Sequence, residues 1–433
     1  MILESTILIV GLFVLVVWGF PIAFALALIS TVMILVTPRM SLWLLAQRSY
    51  AGLDSFVLLA VPFFLLAGKI MEEGGVSERL MKLARPLVGH LKGGLAHVTV
   101  VVGMFFAGIS GSSTAEAASL TTVFVPAMVR RGFEIRFATS LAAAASVMGV
   151  IIPPSILMVI YGAVANVSVG SLLIGGALPG VLVGLALMGM SYLFALWYDL
   201  PRETERWAGL RALIPGLKES SLALLIPVIV VGGITGGVIT PTEAALVAAA
   251  YALVLVRFVY RTLTWRDLWR IFGETALTSA VILFCVATAT VFGYLLAYYR
   301  FTNLVAAYFE SVTRNPTLII SLIIILFIIL GTFLDATPAM LIFVPIVQPV
   351  ALSVGIHPVH LGVVIVMTLA FGLLTLPYGL CTLTACAIAK VPLSEILVTL
   401  HILMLGVLVV ILVAAYWPTL VMLLPRLLVP QFL

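Results

Sequence analysis

Two short stretches, 108–119 (GISGSSTAEAAS) and 331–340 (GTFLDATPAM), set hydroxyls, a glycine and one acid inside otherwise apolar runs. Ser110, Ser112, Ser113 and Thr114 in the first, and Thr332 and Thr337 in the second, offer neutral oxygens. Glycine lets one helix stop and another start at such a point. The arm that ends there leaves carbonyls without partners, and the arm that begins there leaves N–H groups without partners. Carbonyls and hydroxyls suit a hard monovalent cation, while the N–H end suits an anion. Small residues also serve close packing of membrane helices. Here, however, the hydroxyls cluster at a break instead of recurring by helical turns. Glu116 and Asp335 follow the two tips. Ionisable groups inside an apolar run are expensive, so both are candidates for handling an ion or a proton. An acid favoured by a helix N-terminus would look the same.

Two further stretches, 148–155 (MGVIIPPS) and 371–379 (FGLLTLPYG), break apolar helices in mid-run. Proline removes a donor and frees the carbonyl one turn earlier. Gly149 to Ile152 and Gly372 to Leu376 are therefore expected to expose carbonyls, which is tolerated only beside a cavity or within protein. Each interrupted helix, facing its own tip, would form one cation site, two in all. A kink without a ligand is the other reading. The motif TPTEAA at 240–245 is structural: Thr240 as N-cap, Pro241 at the first helical position and Glu243 at the third form a capping box.

These features come in pairs. Phe124-Val125-Pro126 recurs as Phe343-Val344-Pro345, an offset of 219. Glu116 falls on Asp335, Pro21 on Pro241, Gly68 on Gly293, Gly149 on Gly372 and Pro154 on Pro377, with offsets between 219 and 225. The chain thus divides into a first repeat at 1–198, a polar linker at 199–220 and a second repeat at 221–433.

The elements that carry these positions are membrane helices. The chain of 433 residues is 63% hydrophobic and 9% charged, against roughly 25% charged in soluble domains. Its net charge of +5 is no sign of nucleic-acid binding, because the basic residues lie in short loops between apolar runs. Cys285, Cys381 and Cys386 sit in apolar segments without metal-ligand spacing. The first apolar run lacks a basic start and is expected to remain as a membrane helix rather than be cleaved. Runs of helical length predict five spans per repeat: 4–18, 20–36, 52–71, 138–164 and 170–198, then 221–236, 241–258, 275–298, 359–388 and 396–417. The remaining pieces, 94–128 and 317–350, break at the two tips into arms of about 14 residues, or about 21 Å. Arms that short predict re-entrant hairpins. An amphipathic interfacial helix is expected within 72–92, with a counterpart near 300–314.

With the N-terminus outside, 17 of the 22 Lys and Arg fall on the cytoplasmic face, which favours that orientation. Five crossings per repeat is odd, so the second repeat is inverted. The expected fold is an all-α integral membrane protein of two inverted-topology repeats, each with five spans and one hairpin.

At these motifs the chain resembles the large, DctM-type membrane subunit of tripartite ATP-independent periplasmic (TRAP) transporters, over essentially its whole length. The resemblance is carried by the tip after Gly108, Arg131-Gly132-Phe133, IIPPS at 151–155, Leu178-Pro179-Gly180, TPTEAA, and the spacing of Asp335, Pro338 and Pro345. It implies a sodium-coupled secondary importer with an elevator movement, in a bacterial or archaeal cytoplasmic membrane. It implies two partners: a separate small four-helix membrane subunit, and a periplasmic binding protein that delivers a small carboxylate. Sodium is the implied coupling ion, and no organic cofactor is expected. By the same resemblance, one sodium site draws on Ser110, Gly111, Ser112, Ser113, Gly149, Ile152 and Pro153. The other draws on Gly331, Thr332, Asp335, Gly372, Thr375 and Pro377. Substrate contacts are assigned to Ser113, Thr114, Glu116, Thr337 and Tyr378, because no intramembrane Arg or Lys is placed for a carboxylate.

Two competitors remain. A stand-alone sodium- or proton-coupled anion permease could share the inverted-hairpin design without partner chains. Gly108-Ile109-Ser110-Gly111 also fits the nucleophile pattern of rhomboid-like intramembrane proteases. A serine nucleophile needs a base in reach, and the only histidine well inside a later span is His401.

Overall fold

The computed structural model describes every residue except Met1, Arg39, 205–208, Asn303, Ala306, 308–312 and Leu433. Among the described residues the chain is helical throughout, with no strand. The first half runs α1 (Ile2–Val17), α2 (Ile22–Val36), α3 (Trp43–Leu53) and α4 (Ala60–Glu73). It continues with α5 (Val76–Val88), the paired arms α6 (Gly94–Ser110) and α7 (Ser113–Arg130), the interrupted pair α8 (Ile135–Ser146) and α9 (Ile156–Ala165), and α10 (Val169–Trp197). The second half holds α11 (Leu213–Thr235), α12 (Pro241–Val254) and α13 (Trp265–Tyr298). The arms α14 (Pro316–Phe333) and α15 (Ala336–Ser353) follow, then the interrupted pair α16 (Pro358–Gly372) and α17 (Leu380–Ala389), and finally α18 (Leu393–Tyr416) and α19 (Pro418–Leu428). The same order of single helices, paired arms and interrupted helix therefore occurs twice.

Several boundaries differ from the sequence expectation. The arms measure 17, 18, 18 and 18 residues, not about 14. Each is about 26–27 Å long, so arm length alone does not exclude a crossing. The extra turns are the tip residues themselves: 108–110 continue α6, 113–119 open α7, 331–333 continue α14 and 336–340 open α15. The tips are nevertheless inside the molecule, with Ser110, Ser113 and Thr337 buried. α3 and α19 were not expected. α3 meets the helix that begins at Phe56 at a bend of 65°. The linker read over 199–220 becomes helix from Leu213 onward, and its residues 205–208 lie outside the described set. Arg39 and Arg206, counted in the charge split, and most of the expected counterpart helix near 300–314 also lie outside it. Among the described residues seven helices are long and apolar enough to cross a membrane, or eight with the bent pair counted as one. α14 and α15 are among those seven, whereas the halves of each interrupted helix reach that length only together.

Local chemistry explains the elements that place the site. Gly111, at φ +64°, ends α6 in the left-handed conformation that glycine adopts without strain. α5 buries Val76, Leu80, Leu83 and Ala84 and exposes Glu78, Lys82 and Arg85, the amphipathic pattern expected. α12 opens with the anticipated capping box: Thr240 Oγ1 accepts from Glu243 N at 3.3 Å, and Glu243 Oε2 accepts from Thr240 N at 2.7 Å. Thr240→Ala should cost about 1 kcal/mol of stability. A thermal unfolding curve in detergent should show the lowered midpoint, with ligand affinity unchanged.

Two sets of helices carry much of the packing, joined by α5, which packs on both α11 and α6, and by α4 on α6 and α13 on α15. α4 lies along α12, α13 packs on α2, α3 and α4, and α11 packs on α12. In the other group α7 packs on α8, α14 on α16, and α10 on α18 and α19. The halves interlock here, because α7 also packs on α17 and α15 on α9. At the joint between the halves, Glu203 is buried between Arg85 Nε at 3.6 Å and an Arg131 guanidinium nitrogen at 3.4 Å. Its backbone N–H donates to Gly89 O at 2.9 Å. Nearby, a hydrogen bond from Lys92 holds the Asp199 carboxyl below the usual carboxylate range.

Candidate functional site

The two tips and the two helix breaks converge. Ile156 N, from the start of α9, donates to Gly111 O at 3.3 Å. A β-carbon on Gly111 would stand 3.0 Å from Pro154 O. At the second tip Tyr378 N donates to Thr332 O at 3.0 Å, and the backbones of Gly331 and Gly372 touch. Each tip therefore docks on the break that follows it in the chain. Both breaks contain a cis proline bond, before Pro154 and before Pro377.

Between the tips lies a cavity of about 250 Å³. Gly111, Ser112, Ser113 and Thr114 line it from one side, and Asp335, Ala336 and Thr337 from the other. The amides that begin α7 and α15 belong to these same segments, so two helix N-termini flank one space. Ser112 and Thr114 share a hydrogen bond at 3.2 Å. A second cavity of about 510 Å³ shares Asp335 and Thr337 and adds Tyr378. A third, of about 350 Å³, shares Ser112 and Thr114 and adds Ser110, Lys69, Glu72 and Glu73. A separate cleft of about 470 Å³, lined by Gly52, Asp54, Asn166 and Gly293 among others, shares no described residue with the central cavity.

The residues assigned from sequence separate on this frame. Gly111, Ser112, Ser113, Thr114, Asp335 and Thr337 line the central cavity, and Tyr378 lines only its neighbour. Gly149, Ile152, Pro153, Gly331, Thr332, Gly372, Thr375 and Pro377 do not line the central cavity. Some of their oxygens are already engaged: Gly372 O accepts from Thr375 N at 3.0 Å and from Thr375 Oγ1 at 2.8 Å. Glu116, expected to contact substrate, does not line the cavity. It is wholly buried, with neither carboxylate oxygen hydrogen-bonded. One oxygen lies 2.5 Å from where a β-carbon on Gly149 would stand, and the Ser112 carbonyl oxygen is 3.0 Å from the same point. The acid thus faces the first break, because its position one turn into α7 turns it away from the tip.

Sequence reading missed the wall opposite the tips: Leu65 of α4 and Thr278, Val281 and Ile282 of α13. Thr278 was the one available signal, a hydroxyl within a long apolar run.

The family model described as "Tripartite ATP-independent periplasmic transporter, DctM component" matches residues 9–420. The chain belongs to this family. It is 38% identical over 412 residues to the sialic acid TRAP transporter large permease protein SiaM of Vibrio cholerae, covering 94% of this chain and 95% of that one. It is 39% identical over 398 residues to the isethionate TRAP transporter permease protein DctMQ of Oleidesulfovibrio alaskensis, covering 90% of this chain and 62% of that longer protein. The C4-dicarboxylate TRAP transporter large permease protein DctM of Pseudomonas aeruginosa is 36% identical over 382 residues, at 88% and 89% coverage. In fold it matches the crystal structure of the Alcanivorax borkumensis YdaH transporter, with a TM-score of 0.64 at 17% identity over 94% of this chain and 98% of the other. This DctM-family chain is therefore a multi-pass TRAP permease subunit and not an enzyme. The one histidine considered for the nucleophile pattern at Ser110, the exposed His401, bonds to Leu397 O of its own helix at 2.7 Å, while Ser110 is buried.

Proposed function

We propose that this chain is the permease of a sodium-coupled importer of small organic anions in a cytoplasmic membrane. The observation that carries this reading is the convergence of two helix N-termini and two broken helices on one cavity with no Lys or Arg among its described lining residues. Such a site binds an anion through N–H groups and hydroxyls, and it gains from a cation bound close by. The donors available at the first tip are all oxygens, which suits a hard cation. The buried, unpartnered Glu116 carboxylate, converging with Ser112 O on Gly149, fits a cation there. At the second tip Asp335 is the acid beside the break. Sodium would supply positive charge at the tips that the chain itself lacks.

Substrates named for the relatives, sialic acid, isethionate and C4-dicarboxylates, are all organic anions. The second packing group, which holds both hairpins and both interrupted helices, would slide as a unit against the first. In the orientation with the N-terminus outside, the 350 Å³ cavity with Lys69 and Glu72 opens toward the cytoplasm. The second repeat is inverted relative to the first in this reading. A small four-helix membrane subunit would brace the stationary helices, and a periplasmic binding protein would deliver the substrate.

The test is uptake in proteoliposomes holding this chain, its small subunit and its binding protein, with and without an inward sodium gradient. Uptake that needs all three proteins and sodium is the expected result. Sodium-independent uptake by this chain alone would replace the proposal with a stand-alone permease.

A further inference from the structure

We infer that the surface around Arg257, where α12 ends and α13 begins, binds the phosphate of a phospholipid with an anionic headgroup.

Burial and pairing carry the argument. α12 continues past Val254 into a π-helical turn, Leu255–Tyr260, which holds Arg257 and Phe258. Arg261, at φ +57°, then turns the chain toward Trp265, the first residue of α13. The Arg257 guanidinium carbon lies 5.4 Å from the centre of the Trp265 ring and 5.9 Å from that of Phe258. The two rings meet edge to face at 6.4 Å. Ring faces attract the cation but leave its fork of N–H groups without oxygen acceptors. Arg257 Nε is buried without a hydrogen-bond partner. Among the described residues no carboxylate stands within ion-pair distance of this guanidinium. Arg270, farther along α13, is the contrast, since it is paired with both Glu73 and Glu274. A cation with buried, unpaired N–H groups is costly at the edge of an apolar span. Arg257 therefore calls for an anion from outside the chain.

The surroundings identify that anion. α12 with its π-helical turn, Pro241–Tyr260, and α13 are each long and apolar enough to cross a membrane. Arg257 sits in the last turn of the first of these spans, which is headgroup depth. Phe258, Trp265 and Trp269 are exposed beside it, as in the aromatic belts of membrane proteins. From Phe258 toward the bilayer centre, the exposed Val254 and Val247 and the half-buried Tyr251 continue one face of α12 at helical spacing. That face is a track for an acyl chain. A phosphodiester fits the open fork of a guanidinium through two parallel hydrogen bonds.

Neighbouring charges favour an anionic head over a zwitterionic one. Arg261 and Arg266 are exposed on the same connection and likewise form no ion pair among the described residues. Arg79 of α5 adds a further guanidinium, stacked 3.8 Å from the centre of the Tyr260 ring. A choline or ethanolamine cation would meet these charges, whereas an uncharged glycerol head would not. The acid nearest in the chain, Asp267, is committed to the cap of α13. Its carboxylate accepts from Thr264 N at 2.9 Å and from Thr264 Oγ1 at 2.6 Å.

The experiment is native mass spectrometry of the purified chain, alone and with its small subunit, titrated with phosphatidylglycerol or phosphatidylcholine. The first phosphatidylglycerol is expected to bind at least about tenfold more tightly than phosphatidylcholine, and Arg257→Gln should weaken it by about tenfold. Arg130→Gln, which removes an exposed charge at the end of α7, should leave it unchanged. Arg257→Lys keeps the charge without the planar fork and should still lose about threefold, so it decides if Arg257→Gln misfolds. Equal affinity for the two lipids, or undiminished affinity in the Arg257 variants, overturns the assignment. So does an equal loss from Arg130→Gln, which would mark a general effect of charge. Displacement of the lipid by the small subunit would give this face to that partner and overturns it as well.

Discussion

Replacing Gly372 by alanine should weaken the apparent sodium affinity of uptake by about tenfold to a hundredfold. A β-carbon at this position would lie 2.7 Å from the Cα of Gly331, 3.1 Å from its carbonyl carbon and 3.2 Å from its oxygen. From the other side, a β-carbon on Gly331 would lie 2.9 Å from the Cα of Gly372. Every atom in the way is backbone, so no side-chain rotation relieves the contact. The second tip and the second break must part, and the bond from Tyr378 N to Thr332 O is strained with them. Overpacking of this kind costs about 1–3 kcal/mol, and each 1.4 kcal/mol is about a factor of ten in affinity. A sodium titration of uptake measures the shift, and Gly331→Ala should reproduce it. Unchanged sodium dependence in both variants would remove the second tip as a cation site.

The second large effect concerns the repeat-matched pair Gly68 and Gly293. Gly68 of α4 is pressed against the first tip, where a β-carbon would stand 2.6 Å from Ser110 O and 3.1 Å from Ser110 Cα. Gly293 of α13 has no atom within 4 Å of the same point and borders the 470 Å³ cleft. If the hairpin group slides between two end positions as proposed, the Gly68 contact would belong to the position seen here and a matching contact at Gly293 to the other. Gly68→Ala should therefore disfavour the present arrangement by about 1–3 kcal/mol, and Gly293→Ala should disfavour its alternative. Thr278 lies between the central and the 350 Å³ cavities, so the modification rate of a Thr278→Cys variant by a charged maleimide reports the balance. The rate is expected to fall with Gly68→Ala and to hold or rise with Gly293→Ala. Equal effects from the two substitutions would show that the glycines do not mark opposite end states.

Chemistry that is local in the chain was legible from residue types alone. The two tips, the two proline breaks, the capping box at Thr240 and the amphipathic face of 76–88 all depend on neighbours within about one or two helical turns. Glycine, proline and hydroxyls act on the backbone over that range, so their positions announced where helices stop. The order of paired arms followed by an interrupted helix, met twice along the chain, was legible for the same reason. The family follows from these motifs together and is borne out by the match over 9–420.

Other features required the packed chain. Arm lengths were underestimated because most of the polar tip residues, 113–119 and 336–340 among them, continue the arms as helix and leave only a two-residue turn between them. α3 was missed because its composition, with Gln47, Arg48 and Ser49 among apolar residues, does not read as a span. The direction of Glu116 depends on which face of α7 meets Gly149, and only the docking of the tip on the break decides that. The exchange of partners between halves, α7 on α17 and α15 on α9, leaves no mark in either segment alone. Nor does the apolar wall of Val281 and Ile282, whose residues are ordinary members of a long span until α13 is placed against the tips. The sequence by itself determined where the backbone breaks and what oxygens it can offer. The tertiary structure alone decided which of those groups share one cavity, because that depends on contacts between residues far apart in the chain.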